Sequence, residues 1–267
     1  MFTRAIVRPP GPNFAAGLTR HDSGVPNYER ALGQHAAYCD ALEQCGLELT
    51  RLEADERFPD STFVEDTAVI ISAVEGNSAS SKATVVILTR PGAPSRAGEV
   101  ENIRNALSQF RPQFHSIVAP GTLDGGDICE AGTHLFIGVS ERTNESGAQQ
   151  LSDFLAALGF TSSIVDIRDT QNILHLKSGL AYLGDNRLVV IDPLTKRQEF
   201  RGYELVRVSA AEEYAANCVR VNDYVLVAAG NPEFERTLRK LNYQTIALEM
   251  TEFQKMDGGL SCLSLRF

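Results

Sequence analysis

Apolar residues recur along this chain in two rhythms, one with helical spacing and one with strand spacing. Residues 27–45 place Tyr28, Leu32, His35, Cys39 and Leu42 on one face of a helix that stops at Gly46. Residues 98–110 carry Val100, Ile103, Leu107 and Phe110 at three–four spacing, and residues 145–158 repeat it with Ala148, Leu151, Leu155 and Leu158 before Gly159. Ser209-x-x-Glu212 has the form of a capping box opening a short helix. Pro232 occupies a first helical position ahead of Phe234, Leu238 and Leu241. Between these lie short runs rich in Val and Ile, which predict strands over 4–8, 47–52, 66–74, 84–89, 114–118, 135–139, 163–168, 187–192, 203–208, 219–227 and 244–248. The polar run 75–84 (EGNSASSKAT) separates two apolar strands and reads as a long hairpin, not a domain boundary.

The rhythm amounts to one helix with two or three strands in roughly every 50 residues, a period that points to a propeller-like α/β assembly. The pattern leaves the number of repeats open, and a two-domain α/β arrangement is the other reading. Composition adds little: 43% hydrophobic and 22% charged residues describe an ordinary globular chain. The net charge of -9 argues against a nucleic-acid partner, because phosphate binding requires an excess of Lys and Arg. Five cysteines, odd in number and with no C-x-x-C pair, form neither a disulfide framework nor a zinc-ligand pattern. The first ten residues read as a strand entering a Pro/Gly turn and lack the features of a signal peptide. No uncharged apolar stretch approaches the ~18 residues of a membrane span. The expectation is a reduced, cytoplasmic protein with no membrane contact.

Four segments carry candidate chemistry. Pro59-Asp60-Ser61-Thr62-Phe63-Val64-Glu65-Asp66 sets three carboxylates before a strand. On an extended backbone Asp60, Thr62, Val64 and Asp66 share a face while Glu65 takes the other. Carboxylates so placed are partners for a planar cation such as a guanidinium, although a solvated turn explains them equally. Thr122-Leu123-Asp124-Gly125-Gly126-Asp127 is a glycine turn aiming two short carboxylates, and a purely structural turn is its default explanation. His175 lies among Ile173, Leu174 and Leu176, the ordinary setting of a core histidine. Cys262 follows Gly258-Gly259 at the start of an apolar strand, where backbone freedom can display a nucleophile, against the alternative of an inert buried thiol. A Cys, a His and an acid distant in sequence form a nucleophilic set if they meet in space.

Taken in order, seven motifs resemble the dimethylarginine dimethylaminohydrolases, a family of the guanidine-modifying pentein superfamily. They are Asn13-Phe14-Ala15-Ala16-Gly17-Leu18-Thr19, Phe63-Val64-Glu65-Asp66, Thr89-Arg90-Pro91-Gly92-Ala93-Pro94-Ser95-Arg96, Leu123-Asp124-Gly125-Gly126-Asp127, Arg142-Thr143-Asn144, Leu174-His175-Leu176-Lys177 and Asp257-Gly258-Gly259-Leu260-Ser261-Cys262. The resemblance implies an α/β pentein fold, a five-bladed propeller of β–β–α–β modules with pseudo-fivefold symmetry, as one catalytic domain over residues 1–267. It implies hydrolysis of asymmetric dimethylarginine and monomethylarginine to citrulline and the alkylamine through a covalent thiouronium. The nucleophile falls on Cys262, the acid–base histidine on His175 and its orienting acid on Asp124. Glu65 and Asp66 are expected to hold the guanidinium, with Asp60 near the substrate. Arg96 and Arg142 are expected to take its carboxylate, Leu18 and Met256 its amino-acid end, and Phe63 to line the pocket. No metal or organic cofactor is expected; zinc could bind Cys262 and His175 only as an inhibitor. The partner is a methylated arginine, and a homodimer is compatible with the reading. Loop 17–24, which contains Leu18, is the expected lid. The hairpin at 75–84 is longer than the family's. An arginine deiminase is the nearest rival; a non-catalytic pentein such as the ribosome anti-association factor would lack the Cys, His and acid present here.

Overall fold

The computed structural model describes residues 1–20, 23–74 and 82–267, so the tip of the 75–84 hairpin and His21 and Asp22 of the 17–24 loop lie outside the described residues. Among the described residues fifteen strands form five separate three-stranded sheets, each built the same way. In the first complete module β3 (Ala68–Val74) pairs antiparallel with β4 (Lys82–Leu88), the chain crosses through α2 (Glu99–Ser108), and β5 (Gln113–Ser116) returns parallel to β4. The next repeats this with β6 (Ile128–Ala131), β7 (His134–Val139), α3 (Glu145–Ala157) and β8 (Thr161–Asp166). β9 (Leu180–Gly184), β10 (Arg187–Ile191) and β11 (Glu204–Val208) form the third sheet. β12 (Val219–Val221), β13 (Tyr224–Ala228), α4 (Pro232–Lys240) and β14 (Gln244–Leu248) form the fourth. The fifth joins the two ends of the chain: β15 (Ser264–Arg266) pairs antiparallel with β1 (Arg4–Val7), which runs through α1 (Tyr28–Gln44) to the parallel β2 (Glu48–Arg51). A short α5 (Thr251–Gln254) precedes the last strand. This is the five-bladed α/β pentein propeller.

The helical expectations hold where capping and periodicity agree. α1 starts at Asn27, whose side chain accepts from the amide of Arg30, and ends before Gly46 at φ 90°. α3 starts at Asn144, which accepts from the amide of Gly147. The expected capping box at Ser209 does not form; Glu212 instead accepts hydrogen bonds from the amides of Glu233 and Phe234, capping the start of α4. The regular β–β–α–β expectation also needs correction. In the third module the crossover carries two 3-10 turns, Asp192–Leu194 and Gln198–Phe200, and no α-helix. Leu194 and Phe200 supply its buried side chains, so two turns anchor the crossover where a helix does elsewhere. The strand predicted over 219–227 is two strands separated by a turn with Asn222 at φ 54°. β6 and β9 lie outside the predicted strand runs.

The innermost strands β3, β6, β9, β12 and β15 surround the propeller axis and line a cavity of about 500 Å³ at one end of it. At the other end, each of these strands is preceded by a 3-10 turn: Val64–Thr67, Gly125–Asp127, Leu176–Ser178, Ala210–Ala216 and Ser261–Leu263. The resulting ring of five turns positions the site.

Candidate active site

Each chemistry-bearing segment of the sequence occupies one of these turns. Glu65 and Asp66 lie within the first, Asp124 immediately precedes the second, His175 precedes the third, and Cys262 lies in the fifth. Residues up to 197 positions apart are thus brought together by equivalent positions in successive modules. A cavity of about 30 Å³ is lined by Leu18, Asp60, Phe63, Asp66, Arg96, Asp124, Arg142, His175, Met256 and Cys262. Every expected site residue except Glu65 faces it.

Glu65 requires a correction. The carboxylates were expected to lie on an extended segment and to hold one cation between them. Residues 64–67 form a 3-10 turn rather than an extended segment, yet Glu65 and Asp66 still point to different sides, as the alternation of faces had placed them, and so enter different cavities. Glu65 lines the large axial cavity, where Lys177 approaches one oxygen at 2.5 Å and Arg266 the same oxygen at 3.2 Å, while Ser261 donates to the other at 2.7 Å. It does not line the small cavity. Its partners are two residues after His175 and one before Cys262, so Glu65 ties the catalytic turns together from beneath.

Asp66 is equally engaged but faces the cavity. One oxygen accepts from the amide of Gly126 at 2.8 Å and lies 4.0 Å from Nε2 of His175; the other meets Arg96 at 2.5 Å. Burial alone would raise its pKa, but His175 and Arg96 pull it down to about 2. Asp124 receives the amide of Gly92 on one oxygen at 2.8 Å and contacts Nε2 of His175 with the other at 3.1 Å. Burial would lower the pKa of His175, but Asp66, the hydrogen bond it donates to Asp124 and the nearby Asp127 outweigh it and raise it to about 9. At neutral pH the ring is therefore an imidazolium, a proton donor. Cys262 has the opposite bias. Burial, then the charges of Glu65 and Asp66, push its thiol up to about 12.

The two arginines differ. Arg96 is buried in a network with Asp66 and Glu99 and also donates to the carbonyl of Phe63. Arg142 has a guanidinium with no hydrogen-bond or ion-pair partner among the described residues, and its charge faces Asp60. Asp60 accepts the amide of Leu18, fastening the start of the 17–24 loop over the cavity. Phe63 packs its ring against Phe14 and Phe253.

Asp127 is visible in the sequence as the second carboxylate of the glycine turn, but the role it plays and the residues that support the site with it are not. Asp127 accepts from the amide of Leu176 and from the hydroxyl of Ser140, which itself accepts from the amides of Arg142 and Thr143. Asn217, at the end of the fourth turn, holds the amide and hydroxyl of Ser261 and the carbonyl of Lys177. Tyr214 donates to the carbonyl of Gly258 at 2.8 Å. Only the position of these residues in the ring of turns reveals their roles. The ligand atoms of Asp66, Asp124 and His175 lie within 4.8 Å of one another, a spacing open to a cation, and this set excludes Cys262.

Comparison with known proteins decides the family. The chain is 41% identical to N(G),N(G)-dimethylarginine dimethylaminohydrolase of Pseudomonas aeruginosa, covering 100% of both proteins. It belongs to the dimethylarginine dimethylaminohydrolase family. A member of that family from Streptomyces coelicolor is 32% identical, over 98% of this chain and 96% of its own. The solved structure of a cysteine-to-serine variant of the Pseudomonas aeruginosa dimethylarginine dimethylaminohydrolase complexed with citrulline superposes with a TM-score of 0.92, covering 100% of both chains at 41% identity. The family model for arginine deiminase matches residues 104–213. The N-terminal domain of the cyanobacterial arginine dihydrolase ArgZ, 16% identical with a TM-score of 0.84 over 98% of this chain and 97% of its own, shares the fold.

Proposed function

We propose that this chain hydrolyses asymmetric dimethylarginine and monomethylarginine to citrulline and the corresponding alkylamine, with Cys262 as nucleophile, His175 as acid and base, and Asp124 orienting His175. The observation that carries this reading is that a histidine braced by two carboxylates and a cysteine on a separate turn line one cavity, with the guanidinium of Arg142, unpaired among the described residues, at its wall. The site draws on residues from Leu18 to Cys262, which supports one catalytic unit over residues 1–267.

The resting thiol and imidazolium await the cation. A guanidinium seated against Asp66 and Asp60 places positive charge beside Cys262, lowering its pKa, and the thiol gives its proton to solvent. Sulfur then attacks the guanidinium carbon to give a neutral tetrahedral adduct. The C–N bond to the alkylated nitrogen breaks, its electron pair stays on nitrogen, and His175 supplies the proton. The amine takes up the proton the thiol released. A thiouronium remains on Cys262. Neutral His175 deprotonates water as its oxygen bonds to carbon; the C–S bond then breaks, and its electron pair and the hydroxyl proton return to sulfur. Arg142 receives the substrate's carboxylate. Arg96 assists by fixing Asp66, its guanidinium being already occupied.

Citrulline formation from asymmetric dimethylarginine, monomethylarginine and arginine tests the reading, with Cys262→Ser as blank. Turnover of the methylated substrates by the parent alone is expected. Faster turnover of arginine would support the second reading, a deiminase, which the family-model match over 104–213 favours.

A further inference from the structure

The free volume of the substrate cavity, about 30 Å³, holds about two waters at the ~10–15 Å³ that each requires. The chemistry proposed above nevertheless requires an amine to leave and a water to arrive while the rest of the substrate is still joined to Cys262. Both exchanges need room beside sulfur. A second cavity, of about 310 Å³, offers it. The two share Leu174, Asp257, Gly258 and Cys262, so the nucleophile stands in the wall between them.

The composition of the second cavity selects a ligand class. Ile173, Leu174, Ile191 and the ring of Tyr214 supply apolar walls, and Glu213 and Asp257 add two carboxylates. Asp257 accepts the amide of Arg20 at 2.5 Å. Glu213 is half-buried and has no hydrogen-bond or ion-pair partner among the described residues. Arg20, the one cation among the described lining residues, directs its guanidinium to the carbonyl of Ile173 at 3.0 Å and to Glu141 at 3.7 Å. Apolar walls with an unpaired carboxylate match a small alkylammonium, whose methyl groups replace water on the walls while its N–H meets the charge.

We propose that this chamber beside Cys262 receives the alkylamine released from the guanidinium, holds it as an ammonium ion against Glu213, and admits the water that completes the reaction. The inference rests on the substrate reading above and extends it to the path of the leaving group.

The test is initial-rate citrulline formation with added dimethylammonium chloride, against potassium chloride at equal ionic strength. Dimethylammonium is expected to inhibit without competing with dimethylarginine. Glu213→Gln is expected to raise the half-inhibitory concentration about two- to fivefold, the loss of one partly solvated charge contact, while KM for dimethylarginine and the melting temperature stay unchanged. Glu213→Asp, which keeps the charge, should retain inhibition. Competitive inhibition, equal inhibition of the parent and Glu213→Gln, or no inhibition would overturn the inference. Absence of citrulline from the parent enzyme would instead overturn the substrate reading, and this inference with it.

Discussion

The hydroxyl of Ser261 donates to the carboxylate of Glu65 at 2.7 Å, joining residues 196 positions apart directly beneath the nucleophile. The same carboxylate neutralises Lys177 and Arg266, both largely withdrawn from solvent. Glu65→Gln leaves two buried cations without their anion, a change that costs about 3–5 kcal/mol. A lower urea midpoint is expected, together with slower citrulline formation because the turn carrying Cys262 loosens. An unchanged midpoint would show that Lys177 and Arg266 find other partners.

The pH dependence follows from His175. Its folded pKa, about 9, lies above the ordinary 6.5, so its contribution to stability is complete below 6.5 and is lost as pH rises through about 9. The imidazolium required to expel the amine is lost over the same range, and kcat should fall there. Asp124→Asn removes one of the groups holding the proton. The alkaline limb of the kcat profile should therefore move to lower pH, and a limb that stayed in place would remove Asp124 from that role.

Arg142 and Arg96 should separate cleanly on substitution. Arg142→Ala removes a cation with no partner among the described residues, so KM for dimethylarginine should rise about tenfold or more, as for the loss of a charge-assisted hydrogen bond, with little change in melting temperature. Arg96→Ala exposes Asp66 and Glu99 to each other inside the protein and should lower the melting temperature as well as activity. Thermal melts and KM values for the pair check both statements.

Gly126 packs against the catalytic histidine. A Cβ there would stand 2.7 Å from Nδ1 of His175 and 2.9 Å from Asp66, closer than real side chains approach. Gly126→Ala should displace the ring and lower kcat by about 10²–10⁴-fold, the usual contribution of a positioned acid–base group, with a smaller effect on KM. Crystallography of the variant would show the ring moved.

The TRPGAPSR run shows how much of the site the sequence made legible. It was recognisable as a motif, yet its parts do different work: the amide of Gly92 holds Asp124, Arg90 donates to the carbonyl of Gly121, and Arg96 braces Asp66. Cys262, His175 and Asp124 could be named in advance only through the family resemblance, since taken singly they fit an inert thiol, a core histidine and a structural turn. Tyr214, Asn217, Ser140 and Ser261 could not, since a hydroxyl or amide in a loop is commonplace until its partner is known.

By itself, the sequence determined the modular α/β plan. Apolar spacing and the caps at Asn27 and Asn144 are local, and local hydrogen bonds and burial faces are written in adjacent residues. It also set the chemistry available, through one cysteine after paired glycines and one histidine in an apolar run. Tertiary structure decided which way each charge points. Alternation along the chain parts Glu65 from Asp66, but it does not say which enters the axial cavity and which meets His175. That choice depends on Lys177, Arg266, Ser261 and Gly126, which approach from other modules only when the propeller closes. The physical reason is that a buried carboxylate settles where its charge is matched, and the match is made by residues distant in sequence.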